Sequence, residues 1–206
     1  MTQWSPWGVV QHVTKIAPGI RRVSTASHGG IMLSAGKNAL MPDYMRNENG
    51  AYEEDCERAK VEVFFEKEFR EYVARTPWMI EKGSTPDKYM EDSYRTFKNW
   101  LPDEYEQFFK VKVTADESAM RAQQVFEVEN KNNLVTVSAV GDWAEGVPDG
   151  FVCVVATLGG LTPGENRYFL VPSAEYKHPR GGGFVVDPSK YQEIPRISGA
   201  SKKKTA

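Results

Sequence analysis

The sequence predicts an α+β fold: an antiparallel sheet, made from an N-terminal hairpin plus C-terminal strands, packed with several helices from the middle of the chain. Three observations predict it. Short β-rich runs separated by glycine open the chain, apolar residues at helical spacing occupy residues 52–129, and β-branched runs with intervening turns too short for a crossover helix close it.

Taken in order, Val9 to Ile16 reads as a strand or short amphipathic turn that stops at Ala17-Pro18-Gly19. Gly19 to Thr25 and Gly30 to Ser34 read as two strands joined through Ala26, Ser27, His28, Gly29 and Gly30, where glycine supplies conformations closed to other residues. Ser34 can cap a short helix that Met41-Pro42 ends. Tyr52, Cys56, Ala59 and Val63 then follow the spacing of one helix face, with Glu53, Glu54 and Asp55 in the favourable first turn, although Val61 to Phe65 could also be a strand. Helix resumes from Glu66 to Arg75. Ser84-Thr85-Pro86-Asp87 carries a capping hydroxyl and a proline tolerated in the first turn, and Met90, Tyr94, Phe97 and Leu101 form the stripe behind it. Pro102 to Phe109 and Asp116 to Glu129 continue as helices. Leu134–Val140, Phe151–Thr157, Arg167–Val171 and Phe184–Val186 are the closing strands. One domain is expected over residues 1–195, with 196–206 a disordered basic tail.

With 206 residues, 40% hydrophobic and 26% charged, the composition is that of a globular protein able to bury its own core, and it excludes fibrous and disordered classes. No apolar run approaches the roughly 20 residues of a membrane helix, and the opening lacks a basic segment followed by an apolar one, so a cytoplasmic setting without membrane contact is expected. Net charge is −2 but segregated: +4 over residues 1–42, −8 over 43–129 and +2 over 130–206. The acidic middle disfavours nucleic acid as a direct ligand.

His12, His28, His178, Cys56 and Cys153 show none of the close spacings of metal sites, so neither metal nor cofactor is expected. Arg180-Gly181-Gly182-Gly183 lacks the lysine and hydroxyl of a phosphate loop and precedes a strand, which makes it a hairpin loop. Cys56 sits among Glu53, Glu54, Asp55 and Glu57, whose charge opposes a thiolate, and its place on the apolar stripe favours packing.

The pair Ser24-Thr25-Ala26-Ser27-His28-Gly29-Gly30 and Tyr52-Glu53-Glu54-Asp55-Cys56, with Met41-Pro42 between them, resembles the signature of an uncharacterised domain family of bacteriophage and conjugative-plasmid proteins. Trp7-Gly8 and Ala17-Pro18-Gly19 add to the likeness, which covers about residues 4–65. It implies a mobile-element origin and a bacterial host cell, and brings no established reaction.

The expected function is therefore that of a small accessory protein that binds and modulates or inhibits a host or defence protein. Its docking face would be the acidic, aromatic stretch of Glu91, Asp92, Tyr94, Asp103, Glu104 and Tyr105. The alternative is a hydrolase or group-transfer enzyme in which His28 is the base, Glu53, Glu54 or Asp55 orients it, and the amides of the His-Gly-Gly turn stabilise an anion. A third reading is a nucleic-acid-associated protein using Arg21, Arg22, Lys177, Arg180 and Lys202 to Lys204.

Overall fold

A computed structural model describes residues 4–202. The architecture is α+β, and the chain divides into two compact units, 1–113 and 114–206. The strands do not share one sheet: the N-terminal hairpin lies in a four-stranded sheet of the first unit, and the C-terminal strands form a separate five-stranded sheet in the second.

The first unit begins with a two-stranded ribbon, β1 (Trp4–Ser5) and β2 (Gly8–Val9), so Val9 is separate from the strand after it. That strand, β3 (His12–Ala17), pairs with β4 (Ile20–Ser24), β4 with β5 (Gly29–Leu33), and β5 with β6 (Ala51–Glu53), all antiparallel. Gly19 turns the first hairpin at φ +79°, a conformation that L side chains rarely adopt. Strand alternation puts Ile20, Ile31 and Tyr52 on the core side of the sheet, with Tyr52 directly opposite Ile31, and all three are buried.

Tyr52 corrects the sequence reading, because it lies on β6 opposite Ile31 and not on a helix. Its hydroxyl donates to Asn38 Oδ1 at 2.6 Å, on the short helix α1 (Ala35–Asn38), and accepts from the Asn47 N–H. A buried tyrosine needs such partners, and these hold residue 52 in the sheet. Helix α2 (Glu57–Phe64) consequently starts four residues after Glu53, and Val61 to Phe64 are helical. A break at Phe65 separates it from α3 (Glu66–Ala74), after which come α4 (Pro77–Glu81), α5 (Pro86–Trp100) and α6 (Pro102–Phe109). Thr85 caps α5 by accepting from the Lys88 N–H at 3.2 Å, and Met90 and Phe97 on its expected stripe are buried in the same core as Phe69 and Val73.

In the second unit the helix expected from Asp116 begins later, as α7 (Ala119–Asn130), which Ser118 caps by accepting from the Arg121 N–H. The sheet comprises β7 (Leu134–Val140), β8 (Phe151–Leu158), β9 (Arg167–Pro172), β10 (Val185–Val186) and β11 (Gln192–Ile194), in the order β10-β7-β8-β9-β11 with antiparallel pairs. Cores form around Val154, Phe169 and Val171 and around Val147 and Cys153. The glycine run at 181–183 is a close-packing device: a Cβ on Gly182 would sit 2.3 Å from the Phe126 ring, and one on Gly181 2.6 Å from the backbone of Ala122 and Gln123 on α7. Residues expected to form a frayed tail have fixed partners as far as Lys202, whose N–H donates to the Trp143 carbonyl while Ser201 bridges Ala144. Lys203 and Lys204 lie outside the described residues.

Candidate functional site

The β4–β5 turn is closed by Thr25, whose N–H donates to the His28 carbonyl at 2.7 Å and whose Oγ1 donates to the same oxygen and accepts from the His28 N–H. His28 is thereby held at an exposed hairpin tip while its imidazole has no hydrogen-bond partner among the described residues. The two glycines behind it are required by their neighbours. A Cβ on Gly30 would lie 2.2 Å from the Tyr52 carbonyl and 2.5 Å from the Trp7 ring, and one on Gly29 would lie 2.7 Å from Glu54 Oε2. Strand β6 runs alongside, with Gly30 opposite Glu53 and the Glu54 N–H donating to the Gly29 carbonyl at 3.1 Å.

This register brings His28, Glu53 and Glu54 together: one donor atom from each lies within 4.8 Å of the others. The His-Gly-Gly turn and the Glu53-Glu54 pair, separated by over twenty residues, meet here, and the Trp7 ring packs against Gly30 beside them. Asp55 contributes differently, donating its backbone N–H to Glu53 Oε2 at 2.7 Å. Glu53 Oε1 is buried and has no hydrogen-bond partner among the described residues. Cys56 precedes α2 without a capping side-chain bond, and burial first, then Glu53, Glu57 and Asp55, push its thiol up from the ordinary value.

Glu54 also lines an adjoining cleft of about 370 Å³ together with Arg22, Arg58, Tyr89 and Asp92. Behind this cleft lies Glu62, a carboxylate with no exposed surface. Oε1 accepts from Arg22 Nη2 at 3.1 Å and from the Tyr89 hydroxyl, and Oε2 accepts from Arg58 Nη1 and from Ser93 Oγ at 2.7 Å. Burial, then Glu62, push the Tyr89 phenol upward, so it stays a neutral donor. Burial works against the charge of Arg22, but Tyr89 and Glu62 outweigh it and hold the guanidinium above its usual value. Arg58 is used on every side: Nε donates to the Glu54 carbonyl, Nη1 to Glu62 and Nη2 to Asp92. Arg22 engages protein only through Nη2, leaving its Nη1 and Nε without a protein partner among the described residues.

Sequence reasoning missed Arg58, Glu62, Tyr89 and Ser93, which look like ordinary members of two amphipathic helices. The available signal was Glu62 between Val61 and Val63 of α2, where a charge demands partners.

The acidic, aromatic stretch is dispersed by the fold. Tyr94 and Tyr105 are half-buried against the core, Tyr105 against Phe97 and Phe109, and Asp92 pairs with Arg58 and Arg95. Glu91 and Asp103 are exposed and Glu104 is half-buried. Tyr94 donates to Glu66 Oε2 at 2.6 Å, and burial first, then Glu66, push its phenol up to about 12. Tyr94 and then Arg70 hold Glu66 below the usual carboxylate range. A depressed carboxyl gives stability that is present above its unfolded value and lost as pH falls through the folded one. Tyr94→Phe should therefore raise the Glu66 titration midpoint in carboxyl-carbon NMR and move the acid unfolding midpoint to higher pH. An unchanged Glu66 midpoint would contradict the assignment of Tyr94 as its main partner.

Of the basic residues named for nucleic acid, Arg180 donates to the Asp116 carbonyl and Lys202 to Asp149, while Arg22 is paired with Glu62 through Nη2. Among the described residues no helix is long and apolar enough to cross a membrane.

Neither a curated protein nor a solved structure matches the chain. A family model matches residues 1–131, well beyond the stretch carrying the His-Gly-Gly and Tyr-Glu-Glu-Asp-Cys motifs. The chain belongs to the DUF7007 family, a domain of unknown function.

Proposed function

We propose that this chain is a hydrolase or group-transfer enzyme in which His28 serves as general base, Glu53 or Glu54 orients it, and an anionic substrate is held by Arg22. The observation that carries the reading is the convergence of His28, Glu53 and Glu54, with Glu54 also lining the cleft to which Arg22 contributes. A base needs a carboxylate within reach to fix its orientation, and a planar guanidinium edge suits phosphate or carboxylate oxygens. Of the turn amides, that of His28 donates to Thr25 Oγ1, and Gly30 pairs with Val23 in the β4–β5 ladder. Arg22 is better placed for the anion-stabilising role. The likeness of the signature to phage and conjugative-plasmid proteins supports a mobile-element origin.

The test is turnover of p-nitrophenyl phosphate, bis-p-nitrophenyl phosphate and p-nitrophenyl acetate. Removal of a general base costs about 100-fold or more, so His28→Ala should lower kcat/KM by at least that factor with an unchanged far-UV spectrum. No turnover of any ester, or turnover indifferent to His28→Ala, would sink the enzyme.

A second reading, a protein that binds a host or defence protein, draws support from exposed Glu91, Asp103 and Trp100 on the adjoining helices α5 and α6. In that case charge reversal at Glu91 and Asp103, and not His28→Ala, abolishes capture of the partner from bacterial lysate.

A further inference from the structure

We infer that His28, Glu53 and Glu54 hold a divalent cation of the Mn²⁺ or Zn²⁺ type. The inference rests on the same site as the enzyme reading and replaces a bare histidine base with a metal centre. Three features of the chain support it beyond the presence of acidic groups.

The first is the donor set. One imidazole nitrogen and two carboxylate oxygens suit cations intermediate between the hard oxygen-seeking and the soft sulfur-seeking ions. Donors held about 2.1 Å from a common ion stand about 3–3.5 Å from one another, and the three here already lie within 4.8 Å. The remaining contraction falls on His28 and Glu54, both exposed and able to turn.

The second is Glu53. Its Oε2 is fixed by the Asp55 N–H, while Oε1 is buried with no hydrogen-bond partner among the described residues. A buried carboxylate oxygen without a partner is costly, and a cation satisfies it. The third is Gly29, where a side chain would occupy the space taken by Glu54 Oε2. The hairpin thus leaves room for a carboxylate beside His28.

The nearby positive charges do not cancel the site. Arg58 is paired with Glu62 and Asp92, and Arg22 with Glu62. With a cation in place, the free edge of Arg22 and the ion flank the cleft that Glu54 lines, an arrangement suited to an oxygen anion such as a phosphate ester.

The experiment is Mn²⁺ titration of the full chain by calorimetry and electron paramagnetic resonance, with imidazole NMR of His28 as the local readout. Wild type should bind one Mn²⁺ and lose the His28 ring signals by paramagnetic broadening. Even outer partners of a metal change affinity about 10–100-fold, so His28→Ala, Glu53→Gln and Glu54→Gln should each weaken binding by at least tenfold. Glu91→Gln, on exposed surface of α5 and no part of the donor set, should leave it unchanged. The carboxamide variants keep the size of the side chain, and far-UV spectra establish that they fold. Absence of broadening at millimolar Mn²⁺, or binding that survives both His28→Ala and Glu54→Gln unaltered, would overturn the site. Binding without ester turnover upholds the metal and removes the enzyme, whereas turnover dependent on His28 without binding does the reverse.

Discussion

Glu62→Ala should destabilise the first unit by about 3–5 kcal/mol, the range for breaking a buried ion pair from one side. The carboxylate joins three elements: α2, which carries it with Arg58, β4 through Arg22, and α5 through Tyr89 and Ser93. Removing it leaves two guanidinium groups close together in a partly desolvated space, with a phenol deprived of its acceptor and the Ser93 hydroxyl left with the Tyr89 carbonyl. Glu62→Gln retains an acceptor and the side-chain volume but loses the charge, and should fall between wild type and Glu62→Ala. Urea unfolding checks both variants. A loss below about 1 kcal/mol for Glu62→Ala, the level of an exposed pair, would mean that Glu62 is not the anchor of this cluster.

The second large effect is expected at Phe97. Truncating a fully buried phenylalanine costs about 3–5 kcal/mol through lost transfer energy and the cavity left behind. Phe97 has no exposed surface, and its ring meets Tyr105 at 5.4 Å and Phe108 and Phe109 at 6.5 Å. Those three aromatics are the attachment of α6, an eight-residue helix too short to persist on propensity alone. Phe97→Ala should therefore lower the urea midpoint and accelerate amide exchange across residues 102–109 more than across β4 and β5. Uniform acceleration over the unit would show that α6 does not depend on this contact in particular.

Much of the fold was legible because its signals are local. The stripe of Met90, Tyr94, Phe97 and Leu101 and the cap before Pro86 needed only the spacing of residues along one helix. The helix boundary at residue 52 was misread because Tyr52, Cys56, Ala59 and Val63 satisfy helical spacing equally well. What decides against helix at Tyr52 is its pairing with Ile31 and its bonds to Asn38 and Asn47, which helical periodicity does not report. The same holds for the site. His28, Glu53 and Glu54 could be singled out by residue type, but their meeting depends on the β5–β6 register. Glu62 is the hardest case, since its partners Arg22, Tyr89 and Ser93 lie 27 to 40 residues away. Conversely, Tyr94 and Tyr105 looked like docking residues because sequence does not tell an aromatic ring on a core-facing stripe from one on a solvated face.

The glycine run beneath α7 bears on how this chain can change over generations. Gly181 and Gly182 and the helix face of Ala122, Gln123 and Phe126 fit by the absence of side-chain atoms on one partner and the shape of the other. The family match ends at residue 131, between that helix and the sheet and loop it rests on. Any relative that keeps the helix but exchanges the sheet and its loops must acquire a new glycine-lined seat for it, or reshape the helix face at the same time.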